Sequence, residues 1–226
     1  MSLFTIAAEP FAVSGDTTDT AIVLIDMQRD FLLPGGFGES LGNDVSHLAS
    51  AITGCRALLS FGRELGMTIV HTREGHLEDL SDVHPNKQAR CAPGRKIGDQ
   101  GPMGRILIRG EPGHDLIPEL APQPGEHLID KSGKGAFYNT GLAQLLEEAG
   151  VTTLIFGGVT TEVCVHTTVR EANDRGFDCL VVADACGSYF PEFHEVGLKM
   201  ISAQGGIFGC VTDIQRVTSA LDSGSG

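Results

Sequence analysis

Short apolar runs alternate along the chain with longer segments in which apolar residues recur at helical spacing. Runs of four to eight apolar residues are typical of buried strands, and the helical spacing predicts amphipathic helices. The predicted strands are Ala21–Ile25, Thr68–Thr72, Glu126–Asp130, Thr152–Phe156, Cys179–Ala183 and Ile207–Val211. The predicted helices are Asn43–Gly66, Thr140–Ala149, Thr161–Arg175 and Pro191–Gln204.

Strands that alternate with helices predict crossover connections, and therefore an α/β fold with a mainly parallel sheet and helices on both faces. We expect one domain over residues 1–226, with an N-terminal extension at 1–18 and a flexible tail at 222–226. Residues 73–125 interrupt the alternation with many Gly, Pro, Arg and His residues. We interpret them as an ordered excursion near the site or as a subunit-contact arm.

Charge and composition exclude several classes of protein. The formal net charge of −13 disfavours nucleic acid as a partner, because the phosphate backbone would be repelled. No apolar run is long enough to span a bilayer, so no membrane role is expected. The first twenty residues lack a secretory signal, and we expect a cytoplasmic protein. The six cysteines contain no CxxC pair, and each except Cys164 is interpreted as a small buried side chain.

Three reactive side chains lie at the carboxyl ends of predicted strands. Asp26 follows the first run, Lys131 follows the third, and Cys164 opens the helix after the fourth. Ligands of open parallel sheets bind outside these strand ends. The sequence therefore predicts that an acid, a base and a thiol meet at one edge of the sheet.

This grouping favours nucleophilic catalysis. A thiol at a helix start is expected to favour the thiolate, and the glycine-rich turn before Cys164 offers backbone N–H groups for an oxyanion. Asp26 is the candidate general base and Lys131 the compensating cation. Cys164 as a core cysteine, Lys131 as a surface lysine and Lys134 as a substitute for Lys131 remain alternatives, as does a thiol redox or sensing protein.

Other motifs carry weaker signals. His166 is only two residues from Cys164, a spacing that does not bring helical side chains together, so we interpret it as structural. His71 and His76 lack a matching carboxylate–His cluster for a metal. The glycine-rich segment after the first strand lacks the ending of a phosphate loop and is interpreted as a mobile flap. Phe31 and Phe37 flank it and are candidates to cover a flat substrate.

The segments AIVLIDMQRDF, HTREGH, LIDKSGKGAF and GGVTTEVCVHTTVREANDRGFDCLVVADAC resemble the isochorismatase-like cysteine hydrolase family, over roughly residues 19–213. The resemblance implies a Rossmann-like, doubly wound sheet and a catalytic triad of Asp26, Lys131 and Cys164. It also implies a cis peptide bond between Val159 and Thr160. The backbone N–H groups of Thr160 and Cys164 would then form the oxyanion hole.

Details of the resemblance narrow the expected substrate. HTREGH stands where nicotinamidases carry a metal-binding DxH motif, so we expect no metal and no cofactor. The closest similarity is to biuret, triuret and ureidoacrylate hydrolases, which implies a small ureido substrate and a substrate contact by Gln204. A carboxylate-bearing substrate such as ureidoacrylate remains the alternative, with Arg73, Arg105 or Arg109 as its partner. The excursion at 73–125 and the family habit predict a homo-oligomer, a tetramer or a dimer.

Overall fold

The computed structural model describes residues 2–90 and 93–220. In chain order, its strands are β1 (Leu3–Ile6), β2 (Val13–Asp16), β3 (Thr20–Ile25), β4 (Thr68–Glu74), β5 (Gln100–Gly101), β6 (Gly104–Arg105), β7 (His127–Lys131), β8 (Thr153–Val159), β9 (Asp178–Gly187) and β10 (Cys210–Thr212). Its α-helices are α1 (Arg29–Leu32), α2 (Phe37–Ser40), α3 (Ala49–Glu64), α4 (Pro85–Ala89), α5 (Leu142–Glu148), α6 (His166–Asp174), α7 (Pro191–Gly206) and α8 (Ile214–Ser219).

Six strands form a central sheet in the order β10-β9-β8-β3-β4-β7, and every neighbouring pair is parallel. The chain winds outward from β3 in one direction to β7 and then returns to the other side of β3 to continue through β8 to β10. This order confirms the doubly wound α/β fold. Its switch point lies between β3 and β8, where open α/β sheets bind ligands.

The two faces of the sheet form two separate cores. Because side chains alternate across a strand, Ile22 and Leu24 pack with α3 and α8 on one face. Ala21, Val23 and Ile25 pack with α5, α6 and α7 on the other. Helices therefore cover both faces, as the alternation of elements predicts.

A close approach between β3 and β8 requires glycine at one position. Gly158 has a φ of +124°, and a Cβ atom built there would lie 2.1 Å from the carbonyl oxygen of Ile25. Only a residue without a side chain allows the two strands to remain paired at the switch point. This packing fixes the turn from which Cys164 emerges.

Most predicted elements form, with shifted boundaries. Strand β4 continues past Thr72 to Glu74, and β9 runs to Gly187 instead of ending near residue 183. The helix predicted from residue 43 begins as a 3₁₀ turn at Val45–Leu48, followed by α3. The extension of β4 matters most, because it brings a further carboxylate to the sheet edge.

The remaining segments are ordered around the sheet. Strands β1 and β2 form an antiparallel hairpin within the predicted extension, and Glu9 forms an antiparallel bridge with Val211 of β10. The excursion contains α4, β5, β6 and a 3₁₀ turn at Pro118–Leu120. The predicted tail at 222–226 lies outside the described residues, as does Cys91. In the described chain, no helix combines the length and the apolar character needed to cross a membrane.

Candidate active site

The ends of four neighbouring strands converge on one buried cluster of charged side chains and a thiol. Asp26 follows β3, Glu74 and Lys131 end β4 and β7, and Cys164 lies beyond β8. One carboxylate oxygen from each of Asp26 and Glu74 and the Cys164 sulfur all lie within 4.8 Å of one another. The structure thus brings together the three residues selected from the sequence and adds a fourth.

Asp26 and Lys131 form a fully buried ion pair. Lys131 Nζ lies 2.8 Å from Asp26 Oδ2, and both side chains have no exposed surface. Asp26 has a φ of 51°, a left-handed conformation that Asp tolerates better than most residues and that turns the chain at the strand end. The lysine side chain crosses the end of β4 to reach Asp26, because β7 is two strands away from β3.

Hydrogen bonds hold both members of this pair. Thr72 Oγ1 donates to Asp26 Oδ1 over 2.6 Å, and Lys131 Nζ donates to the carbonyl oxygens of Gly133 and Lys134. Burial alone would lower the pKa of Lys131, but Asp26, followed by Cys164 and Glu74, raises it above the usual range. Lys131 is therefore a permanent cation, and it faces Asp26 Oδ2.

Cys164 lies in a π-helical segment, Thr161–Val165, and not at the start of an α-helix. The α-helix α6 begins only at His166. A π turn is rare and often marks a functional position. Burial, followed by the negative charge of Asp26, raises the pKa of the Cys164 thiol well above its usual value, despite the opposing effect of Lys131. The prediction that the helix start favours the thiolate is therefore wrong: the thiol is protonated and needs a base.

Glu74 is the site residue that the sequence analysis missed. Its side chain is 1% exposed, the Cys164 thiol donates to its Oε2 over 3.6 Å, and Lys134 Nζ donates to its Oε1 over 2.6 Å. Burial raises the pKa of Glu74, but Lys134 and Lys131 outweigh this and lower it, so Glu74 is ionised. Lys134 therefore pairs with a second carboxylate and does not substitute for Lys131.

The register of β4 against β7 could have identified Glu74 as a site residue. In the ladder between β4 and β7, Glu74 is paired with Lys131. Thr72 and Glu74 are two residues apart, so both side chains lie on one face of the strand. Extending the predicted strand by two residues would have brought Glu74 beside the selected lysine.

The turn before Cys164 has the backbone implied by the resemblance. The Val159–Thr160 peptide bond is cis, and Thr160 has an extended backbone with φ −88° and ψ 150°. Val159, Thr160 and Cys164 all line one cavity. The roles of the Thr160 and Cys164 N–H groups as an oxyanion hole stay a prediction.

The cavity above Cys164 has a volume of about 260 Å³ and mainly apolar walls. Phe31 and Phe37 line it, as expected, together with Tyr189 and Phe190. Tyr189 Oη donates to the carbonyl oxygen of Phe31 over 2.7 Å, which ties the glycine-rich segment to the loop after β9. The charged residues in its lining are Glu74, Lys134 and Glu162.

Gln204 is not among the residues that line this cavity. The backbone leaves helical geometry at Ala203, and Gln204 takes a left-handed conformation with φ 53° and an exposed side chain. The structure thus does not bring Gln204 to this cavity, and its substrate contact stays a prediction.

The three arginines considered for a carboxylate-bearing substrate are also absent from the cavity lining. Arg73 forms a two-pronged contact with Asp130, with Nε 2.8 Å from Oδ1. Arg105 and Arg109 donate to backbone carbonyl oxygens of the excursion and its start. His166 lies outside this cavity as well and accepts a hydrogen bond from Arg170 Nε.

The two carboxylates and the thiol are also potential metal ligands. Each carboxylate, however, already faces an ammonium group at 2.6–2.8 Å. The positive charge that a metal ion would contribute is thus provided by Lys131 and Lys134. The expectation that no metal is required stays a prediction.

Comparison with known proteins agrees with this arrangement. The sequence model of the isochorismatase domain matches residues 20–214, which include every residue of the cluster. The chain belongs to the isochorismatase family. Membership places the chain in a family of hydrolases and leaves the substrate open.

Solved structures of this family superimpose on most of the chain. A cysteine hydrolase from Pseudomonas syringae pv. phaseolicola is 26% identical, with a TM-score of 0.77 over 97% of this chain and 99% of its own. An isochorismatase family protein from Desulfovibrio vulgaris is also 26% identical, with a TM-score of 0.76 over 90% of this chain and 98% of its own. An N-carbamoylsarcosine amidase from Thermoplasma acidophilum, 20% identical with a TM-score of 0.65 over 87% and 96%, shares the fold.

Proposed function

We propose that the protein is a cysteine-dependent amidohydrolase that cleaves a C–N bond of a small ureido compound and releases ammonia. The observation that carries this proposal is the buried thiol between two carboxylates, each paired with a lysine, at the base of a small cavity. A thiol beside two carboxyl groups that are each paired with a lysine suits proton abstraction followed by nucleophilic attack. Biuret or triuret is the proposed substrate.

In the first half of the reaction, Asp26 takes the thiol proton and the Cys164 sulfur attacks the terminal carbonyl carbon. The C–S bond forms, and the π-electron pair moves to the carbonyl oxygen, which the N–H groups of Thr160 and Cys164 stabilise. The oxyanion then collapses and the C–N bond breaks. Asp26 returns its proton to the departing nitrogen, which leaves as ammonia. The acyl group remains bound to Cys164 as a thioester.

In the second half, a water molecule gives one proton to Asp26 and attacks the thioester carbon. The C–O bond forms, the C–S bond breaks, and the sulfur recovers the proton from Asp26. Biuret gives allophanate, and triuret gives carboxybiuret. Lys131 remains charged throughout and stabilises the Asp26 carboxylate in both halves.

The cavity supports an uncharged ureido substrate over a carboxylate-bearing one. Its volume of about 260 Å³ suits a small molecule, and no arginine of the described residues lines it. Lys134, which lines it, is already bound to Glu74 over 2.6 Å. Phe31, Phe37 and Tyr189 provide flat apolar surfaces for a planar ureido group. Ureidoacrylate and other N-carbamoyl acids remain the alternative substrates.

Ammonia release from biuret, triuret, ureidoacrylate, N-carbamoylsarcosine and nicotinamide tests the proposal. We expect turnover of biuret or triuret with the highest kcat/KM, and none by Cys164→Ser, whose hydroxyl is a weaker nucleophile at the same position. Cys186→Ser is the matched control, because Cys186 is buried but lies outside the cavity. Preference for nicotinamide, or turnover by Cys164→Ser at the wild-type rate, would contradict the proposal.

A further inference from the structure

Glu162 differs from the other charged residues that line the Cys164 cavity. Glu74 and Lys134 are bound to each other. The Oε2 atom of Glu162 is buried and has no hydrogen-bond partner among the described residues, and no ion pair involves this side chain there. Burying an acceptor without a partner is unfavourable, so such an atom in a cavity wall indicates a position where a ligand donates.

Glu162 is part of the wall of the cavity that holds Cys164. It lies in the π-helical segment, two residues before Cys164 and two residues after Thr160. It lines the cavity with both of them and also forms part of a groove between α6 and α7. A substrate whose carbonyl group lies over Cys164 therefore has Glu162 within the same small space.

The Glu162 carboxylate affects the pKa values of two groups near it, Tyr189 and His194. Burial lowers the pKa of His194, although Glu162 opposes this, so His194 is neutral at pH 7. His194 Nδ1 is 2.8 Å from the Thr161 hydroxyl. The cavity wall thus presents a carboxylate oxygen that has no hydrogen-bond partner among the described residues.

We propose that Glu162 is a specificity-determining residue that accepts hydrogen bonds from the N–H groups of a ureido substrate and repels a substrate carboxylate. The inference rests on the proposed amidohydrolase function and deepens it by naming what the cavity recognises. Biuret and triuret carry N–H donors along their whole length, whereas an N-carbamoyl acid combines its ureido group with a carboxylate that would face the carboxylate of Glu162. A bond from an amide to a carboxylate is stronger than one to a neutral acceptor.

The test compares biuret with N-carbamoylglycine, a compound of similar size that ends in a carboxylate. In Glu162→Gln, we expect kcat/KM for biuret to fall about 10-fold, mainly through a higher KM, because the acceptor stays but its charge is lost. The ratio of kcat/KM for biuret to that for N-carbamoylglycine should fall by more than kcat/KM for biuret alone, because the repulsion between Glu162 and the carboxylate of N-carbamoylglycine is also removed. Alkylation of Cys164 by iodoacetamide should keep its wild-type rate, since the thiol and its two carboxylates are untouched.

Glu192→Gln is the matched control. Glu192 is exposed and lines the groove between α6 and α7, which Glu162 also lines, but not the Cys164 cavity. This variant should keep the wild-type constants for both compounds. The inference is overturned if Glu162→Gln keeps the wild-type ratio, if its loss lies in kcat with KM unchanged, or if Glu192→Gln behaves identically. A wild type that hydrolyses no ureido compound overturns the proposed function as well.

Discussion

At the scale of single residues, the site consists of two carboxylate–ammonium pairs on either side of one thiol. Asp26 with Lys131 is fully buried, whereas Lys134 of the second pair is partly exposed at the cavity wall. A buried charge is stable only when it is paired and hydrogen-bonded, and both pairs meet this condition. Burial, followed by the negative charge of Asp26, raises the pKa of the thiol between them, although Lys131 opposes this.

Glu74→Gln tests the second pair. Glu74 accepts the thiol hydrogen and binds Lys134, so its neutral analogue should misorient the thiol and leave Lys134 without its counterion. We expect kcat/KM for biuret or triuret to fall by about 100-fold, the lower range for a group that assists proton transfer. Steady-state ammonia release measures it. Glu78→Gln, which alters an exposed glutamate outside the cavity, should keep full activity; equal activity of both variants would contradict the assigned role.

The sequence predicted some residues of the site and missed others. Asp26, Lys131 and Cys164 were predictable because each lies at the end of an apolar run, and parallel strands end at one edge. Glu74 was not, because the predicted strand stopped at Thr72. The state of the thiol was predicted wrongly, because dipole arguments need a helix start and an exposed sulfur, and Cys164 has neither.

At the scale of elements, the glycine-rich segment is attached to the rest of the cavity at several points. Asp30 Oδ1 accepts from the backbone N–H of Phe37, and Tyr189 Oη donates to the Phe31 carbonyl oxygen. A Cβ atom built on Gly38 would lie 2.2 Å from Tyr189 Oη, so α2 packs directly against the tyrosine. These contacts make the segment an ordered cavity wall.

Gly38→Ala tests this packing. The added methyl group should displace α2 or Tyr189 and raise KM for biuret or triuret by about 10-fold, because Phe31 and Phe37 move with them. In the double variant Gly38→Ala/Tyr189→Phe, removal of the clashing hydroxyl should recover part of the loss, since the next atom, Tyr189 Cζ, is 2.9 Å away. Steady-state kinetics of the two single variants and the double variant measure the coupling. Strictly additive effects would show that the two side chains do not interact.

The conformation of the end of α7 could not be predicted from the sequence pattern. Helical periodicity predicted a helix over Pro191–Gln204, and the helix forms. The backbone break at Ala203–Gly205 is not encoded in apolar spacing, and it decides where Gln204 points. Gln204, inferred from a motif, therefore lies outside the cavity, whereas Phe31 and Phe37, selected because they flank the glycine-rich segment, line it.

At the scale of the whole molecule, the alternation of strands and helices predicted the doubly wound sheet, and two apolar faces hold it together. Sequence could not give the order of strands, since alternation alone allows several windings. The predicted homo-oligomer stays a prediction. Phe193, Val196 and Met200 form an exposed apolar stripe on α7 that a second copy could cover.

Glu126 joins α3, β4 and the start of β7, and its removal should weaken the whole fold. Arg63 Nε donates to Glu126 Oε1 over 2.6 Å, and His71 Nε2 lies 2.8 Å from Oε2. Glu126→Gln should lower the free energy of unfolding at pH 7 by about 2 kcal/mol, the range for hydrogen bonds to a buried charge. Urea denaturation measures the loss, and Glu64→Gln at the exposed end of α3 should leave it unchanged.

The contribution of Glu126 to the free energy of unfolding should depend on pH, and the sign of this dependence follows from its pKa. Burial would raise the pKa of Glu126, but hydrogen bonds from Arg63, the Gln123 N–H and His71 lower it from 4.5 to about 2. A carboxyl group whose pKa is lower in the folded than in the unfolded chain stabilises the fold at pH values above its unfolded-state pKa. This stabilisation is lost as the pH falls through its folded-state pKa. The difference between wild type and Glu126→Gln should therefore be full above pH 5 and shrink from pH 4.5 toward 2. A difference that grows in acid would contradict this account.

The most direct test of the central claim is to trap the covalent intermediate on Cys164. Wild-type protein mixed with biuret or triuret, quenched in acid and digested, should yield the peptide that contains Cys164 with the mass of one acyl group added. Cys164→Ala should show no adduct on any cysteine. An adduct on another cysteine, or ammonia release at the wild-type rate by Cys164→Ala, would contradict the assignment of this thiol as the nucleophile.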